Sequence, residues 1–220
     1  MQGFSATLVE EAAATLSEKN RDLANRINQS AQFLDALLAG LLVFSHTSQE
    51  RVQLAPVGLE GAVQSVLSRL GQEIQEKNAR VEVVGPWPVV LAHEPTLGQV
   101  FFNLLSNALK FVPPDVLPQI RVRADVVEAS ERGTLSRSTR SDAPAASTVR
   151  VWVEDNGIGI APEHQEQIFR PFMRLHGDRY AGTGIGLAIV QKGIERMGGR
   201  IGLESTPGQG SRFWFELKKA

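Results

Sequence analysis

The feature that most constrains this chain is a pair of glycine-rich pieces downstream of an asparagine-bearing helical stretch. The stretch is Gln99 to Phe111, and the pieces are Asp155-Asn-Gly-Ile-Gly159 and Gly182-Thr-Gly-Ile-Gly186. Glycine lets backbone turn tightly and approach a ligand closely. The second piece opens a helical pattern from Ile185 to Met197, so its amides and the helix dipole predict an anion site. No Gly-Lys-Ser/Thr follows, which excludes a Walker loop. A loop rather than a strand precedes it, which excludes a dinucleotide fingerprint.

The other pieces fit a nucleotide. Asn103 and Asn107 are four apart and Lys110 lies three beyond, so all three share a helix face. An amide oxygen is a hard ligand suited to Mg²⁺, and an ammonium suits a phosphate. Phe111 follows, placed to lie against a base or ribose. Asp155 comes off an alternating strand, Val149 to Glu154. Its carboxylate only accepts hydrogen bonds, whereas the exocyclic amine of adenine donates. Alone, Asp-Asn-Gly reads equally as a turn. Alone, buried asparagines cap loops. Together with Lys110 and the glycines they read as a site.

Between the glycine pieces, Pro171 to Ala181 carries Arg174, His176, Asp178, Arg179 and Tyr180. Gly177 and Gly182 are candidate hinges, and Phe169 and Phe172 are expected to anchor the start. That composition predicts a lid over a polyphosphate, with Arg174 as a phosphate contact. His176 reads as a lid residue rather than a base.

The rest of the chain frames this stretch. With 220 residues it holds one large or two small domains, and 42% hydrophobic content supplies a core. A net charge of −1 gives no sign of nucleic-acid binding, and the absence of cysteine excludes disulfides. No apolar run is long enough to cross a bilayer, and Met1 to Ser5 lacks signal-peptide character. A cytoplasmic location is expected. Residues 1–50 read as two helices, with Ser17 as an N-cap of the second. Leu23, Ile27, Ser30, Leu34, Leu37, Leu41 and Phe44 form a continuous stripe that one short helix cannot cover. A hairpin that dimerises into a bundle is the economical reading. A boundary is expected at 51–56, with Pro56 stopping the helix.

From residue 57 on, helix and strand patterns interleave. Helices are expected over Leu59–Lys77, Pro95–Lys110 and Ile185–Met197. Strands are expected over Val81–Val84, Val89–Leu91, Ile120–Val127, Val149–Glu154, Arg200–Glu204 and Ser211–Leu217. The fold class is an α+β two-layer sandwich, its sheet mostly antiparallel and covered on one face, preceded by an α-helical hairpin. Residues 128–147 are rich in Ser, Thr, Ala and charge, without periodicity, and are expected to be a disordered loop.

These motifs resemble the sensor histidine kinases of two-component signalling, within the wider group of ATPases that includes gyrase and the heat-shock-90 chaperones. Gln99–Phe111 looks like the N box and Asp155–Gly159 the first glycine box. Ile168–Phe172 looks like the F box and Gly182–Gly186 the second glycine box. Gly208 to Leu217 fits the family's last strand, and the lid resembles the phytochrome-like branch. The resemblance covers roughly residues 20–217. It implies a Bergerat-type site for ATP and Mg²⁺, with Asn107 on the metal, Lys110 on phosphate and Asp155 on adenine. Asn103, Lys110 and Arg174 would serve catalysis. Phe111, Gly157, Gly159, Ile160, Phe169, Gly182, Thr183, Gly184, Gly186, Leu187 and Ser211 would complete the nucleotide pocket. It also implies a response-regulator receiver domain as partner and a homodimer through the hairpin.

Two departures qualify that resemblance. Hydrolysing relatives carry a glutamate base one turn before the metal asparagine, where this chain has Asn103. An amide cannot take a proton near neutral pH, so transfer to a histidine is expected rather than hydrolysis. The histidine-bearing box is absent, so the chain is expected to be a fragment that starts just past its acceptor and cannot phosphorylate itself. His46 is at the wrong end of the hairpin, and His93 and His164 read as surface positions. A non-catalytic nucleotide-binding scaffold and a gyrase- or chaperone-like ATPase are the alternatives.

Overall fold

The computed structural model describes residues 53–127, 147–175, 180 and 182–220, with scattered positions between 17 and 38. Most of the expected hairpin, loop 128–146, His46 and lid residues 176–179 and 181 lie outside the described residues. From Asn20 to Leu38 the described positions are helical, and Ser17 Oγ accepts a hydrogen bond from Asn20 N at 3.4 Å. Leu23, Ile27, Leu34 and Leu38 are exposed.

The ordered elements are β1 (Ala55–Gly58), α1 (Leu59–Arg69), α2 (Gly71–Glu76), β2 (Arg80–Val84), β3 (Val89–Ala92), α3 (Glu94–Lys110), β4 (Gln119–Val127), β5 (Thr148–Asp155), α4 (Gly186–Arg196), β6 (Arg200–Thr206) and β7 (Gly210–Lys218). Strands β1 and β3 form an antiparallel pair. The main sheet has five strands in the order β2-β4-β5-β7-β6. Only β2–β4 is parallel; the other three pairings are antiparallel. The α+β sandwich is therefore present. Two expectations shift. The helix expected over Leu59–Lys77 breaks at Leu70–Gly71 into α1 and α2, because glycine weakens a helix interior. Pro56 lies within β1 rather than in a linker, a place an edge strand tolerates.

Strand alternation sorts the sheet into two faces. Val122, Val151 and Phe215 point inward, with no exposed surface, to meet Val63 of α1, Leu105 of α3 and Ile194 of α4. Helix α3 follows the 3.6-residue period: Leu97, Val100, Phe101, Leu104, Leu105, Ala108 and Leu109 are buried. Phe101 meets Phe215 edge-on with ring centroids 5.5 Å apart.

The opposite sheet face has no helix over it among the described residues and is closed by side chains instead. Trp152 and Trp214 are paired across β5 and β7. Arg123 stacks 4.8 Å over Trp152 and Arg150 4.6 Å over Trp214. Glu216, nearly inaccessible, accepts from Arg150 at 2.6 Å and from Arg200 at 3.0 Å.

Removing the ring that joins α3 to the sheet tests this packing. Phe101→Ala is expected to cost about 3–5 kcal/mol. In urea unfolding the midpoint should fall with the slope unchanged, and a loss under about 1 kcal/mol would show that the ring is not a core element.

Candidate nucleotide site

Helix α3 has a second stripe. Gln99, Phe102, Asn103, Ser106, Asn107 and Lys110 line a cavity of about 630 Å³. Their spacing of three and four turns one helix edge toward the cavity while the core stripe faces the sheet. Asp155, at the end of β5, lines the same cavity, with Gly159, Ile160 and Ser211. Arg174, Gly182, Thr183, Gly184, Gly186 and Leu187 close it from the other side.

The cavity has a direction. Ile158 N donates to Phe111 O at 2.9 Å, which holds the turn after Asp155 against the C-terminal end of α3. A Cβ on Gly157 would collide with that carbonyl, so only glycine allows this approach. Gly159, at φ +68°, takes a conformation that suits glycine. The second glycine piece runs antiparallel to α3. Gly182 lies against Lys110 Nζ, while a Cβ on Gly186 would sit 3.0 Å from Asn103 Oδ1. The stretch of α3 between Lys110 and Asn103 is about 10 Å long. Polar side chains and glycine backbone face each other along that length.

Two charged groups inside the cavity are unfavourably placed. Burial raises the pKa of Asp155 from 3.8 to about 6, against the pull of hydrogen bonds from Gly157 N and Ser211 N. Both amides donate to Oδ1, at 2.8 and 3.2 Å. Oδ2 is left available to a ligand donor. Lys110 is held below the usual lysine range by burial first, then by Arg174 and Lys77, with Glu73 opposing. Its ammonium lies 4.5 Å from the Phe111 ring centroid. A ligand that is anionic beside Lys110 and a hydrogen-bond donor beside Asp155 complements both groups.

Metal ligation has a limited donor set. Among the described residues no cluster of three His, Cys, Asp or Glu side chains could hold an ion by itself. The asparagine amides of α3 fit a hard cation that brings most of its ligands as phosphate oxygens and water.

Several sequence readings change here. Gly157 and Phe169 do not line the cavity. Gly157 acts through its amide on Asp155, while Phe169 packs against the core. Phe172 anchors nothing: it is 55% exposed, in a left-handed conformation at φ +66°. That conformation costs about 1–2 kcal/mol for a non-glycine residue. Its amide donates to Gly184 O at 3.0 Å and ties the lid's start to the second glycine piece. His93 and His164 are half-buried rather than on the surface. His93 Nδ1 meets Thr96 Oγ1 at 2.8 Å, and His164 Nδ1 is buried without a hydrogen-bond partner among the described residues.

Sequence reasoning also left out lining residues. Gln99, Phe102 and Ser106 were reachable by stepping three and four from Asn103. Met173, Leu175, Ile189 and Phe213 carry no such signal, because an apolar cavity wall and a core position look alike in sequence. Tyr180 packs on Phe111 at 5.2 Å between centroids, and its hydroxyl donates to Val112 O at 3.4 Å.

This arrangement is that of a known family. Residues 92–220 match the histidine kinase-, DNA gyrase B-, and HSP90-like ATPases, and the chain belongs to that family. It is 36% identical over 206 residues to the phytochrome-like protein Cph1 of Synechocystis sp., covering 92% of this chain and 24% of that protein. It is 35% identical over 224 residues to the sensor histidine kinase AruS of Pseudomonas aeruginosa, covering 98% of this chain and 20% of that protein. The chain thus spans a quarter or less of the length of these relatives. Full-length ShkA, crystallised with AMPPNP, has a TM-score of 0.68 at 26% identity, covering all of this chain and 47% of that one. The nucleotide-free catalytic domain of histidine kinase ThkA has a TM-score of 0.58 at 26% identity, covering 76% of this chain and 97% of that one. No helix among the described residues is long and apolar enough to cross a membrane.

The raised pKa of Asp155 links the site to stability. The neutral acid is favoured in the folded state, so its stabilising contribution is full below about pH 4 and is lost as pH rises through about 6. The ionised form then costs on the order of 2–3 kcal/mol. Asp155→Asn is expected to raise the thermal midpoint near pH 8 and to change it little near pH 4. Equal midpoint changes at the two pH values would refute the link.

Proposed function

We propose that this chain is the ATP-binding catalytic part of a sensor histidine kinase, transferring the γ-phosphoryl group of ATP to a histidine for relay to a response-regulator aspartate. One observation carries the reading: Asn103, Asn107 and Lys110 face the glycine piece 182–186 across one cavity, and Asp155 closes its end. The residues from β1 onward would form the catalytic domain, the few residues before β1 the linker, and 1–50 part of a dimerising helical hairpin. The family match, and the kinases among the relatives and solved structures, support this assignment. The cytoplasm is the compartment this reading implies.

In this reading adenine lies at the C-terminal end of α3, its amine donating to Asp155 Oδ2. Phe111 lies beside the base, with Ile160 among the apolar walls. Ser211 N and Gly157 N hold the carboxylate in position. The phosphates follow the polar edge of α3. Lys110 and Arg174 neutralise their charge, and the amides from Gly182 to Leu187, with Thr183, line the opposite side. Asn107, with Asn103 beside it, would hold Mg²⁺, which when bound neutralises charge on the phosphates. Catalysis is positioning plus charge stabilisation.

Asp155 is the only carboxylate among the described lining residues, and it lies at the base end. Asn103 cannot take a proton from water. Both facts favour transfer to an external nucleophile over hydrolysis.

The direct experiment adds a separate histidine-bearing hairpin to the purified chain with Mg-ATP. Labelled γ-phosphate is expected on the hairpin histidine, with little free phosphate. Chelating magnesium should stop transfer, and Lys110→Ala should slow it about 10²-fold. Rapid phosphate release without label on the hairpin would support an ATPase instead.

The pH dependence provides a second check. Protonated Asp155 cannot accept from adenine at Oδ2, so ATP affinity should fall as pH drops through about 6. Asp155→Asn should bind weakly at every pH, because its amide sets a donor against a donor. A pH-independent affinity for the unmodified chain would remove Asp155 from base recognition.

A further inference from the structure

The cations of the cavity are unevenly distributed. Lys110 and Arg174 are its only described lining cations, and both lie toward the C-terminal half of α3, with Arg174 close enough to depress the lysine's pKa. The other end, around Asn103 and Gln99, is lined by neutral side chains. A nucleoside triphosphate running from Asp155 along α3 brings its terminal phosphoryl group, the most charged part, to that neutral end.

One guanidinium outside the lining touches a residue of that end. Arg69, the last residue of α1, lies 4.8 Å over the ring of Phe102. Phe102 lines the cavity next to Asn103. Arg69 is exposed, and no carboxylate pairs with it among the described residues. Other cations differ in this respect. Lys77 is bonded to Glu73 at 2.9 Å and to Leu109 O at 3.1 Å. Arg123, Arg150, Arg200 and Arg212 are all in ion pairs on the sheet face. The Arg69 guanidinium sits over the Phe102 ring, and its donors make no hydrogen bond among the described residues. A stacked, planar fork suits bidentate binding of a phosphoryl oxygen pair.

We propose that Arg69, held by Phe102, binds the terminal phosphoryl group of the triphosphate at the Asn103 end of the cavity. This rests on the nucleotide-site reading above and adds a residue outside every sequence motif. Arg69 thereby distinguishes triphosphate from diphosphate, since a diphosphate does not reach the Asn103 end.

Affinities for Mg-ATP and Mg-ADP, measured calorimetrically on the whole chain, test it. In Arg69→Ala, ATP should bind about tenfold more weakly while ADP binding stays unchanged. Arg69→Lys should fall between, because it keeps the charge but loses the fork and most of the stack. Phe102→Leu should lower ATP affinity in the same selective way. Arg69 is exposed, so the thermal midpoint of its variants should match that of the unmodified chain. Equal losses for both nucleotides, or no loss for either, would overturn the role of Arg69 and leave the nucleotide site standing. If the unmodified chain binds neither nucleotide, the site reading itself fails and the inference falls with it.

Discussion

Helix α3 serves two surfaces, and the rest of the structure depends on keeping them apart. One stripe, centred on Phe101 and Leu105, is buried against the sheet and the neighbouring helices. The other presents Asn103, Asn107 and Lys110 to the cavity. Because each residue advances the helix by about 100°, a one-residue slip would carry the polar stripe toward the core. Burial of the apolar stripe therefore sets the rotation of the helix, and the rotation sets the site. Gly193 of α4 allows close packing: a Cβ there would lie 2.9 Å from Thr96 of α3. The N-terminus of α4 is thereby brought beside Asn103.

The same core supports two charges that the cavity disfavours. Burial raises the pKa of Asp155 and lowers that of Lys110. Each shift favours neutralisation and marks a group waiting for a partner. The carboxylate is fixed through Oδ1 and open at Oδ2, while the ammonium lies over Phe111. Asp155 and Lys110 thus place opposite electrostatic demands on a ligand. On the far side of the sheet, charges are arranged differently: Glu216 is held between Arg150 and Arg200, and tryptophans lie beneath stacked guanidinium groups. That face is closed by mutual pairing, whereas in the cavity burial disfavours the charged forms of Asp155 and Lys110.

Much of this was legible in the sequence because the governing periods are local. The alternation of β5, the steps of α3 and the order Asp155, Gly159, Gly182, Gly186 are read along the chain. Boundaries moved by only a residue or two at α3 and β7. Legibility failed where the deciding contact was distant. The break at Leu70–Gly71 looked continuous by periodicity. Phe172 looked like a buried anchor by composition but is exposed on a left-handed turn tied to Gly184. Phe169 and Gly157 belonged to motifs yet support the cavity from behind its wall.

What the sequence by itself determined was the chemistry on offer: amide, ammonium, carboxylate and glycine in a fixed order. Those follow from residue identity and spacing along single elements. What only the tertiary structure decided was which groups meet. It laid the second glycine piece antiparallel to α3, placed Asp155 on the cavity wall, set its pKa near 6, and brought Arg69 from another helix onto Phe102. Such relations depend on burial and on contacts between distant segments, and no local period encodes either.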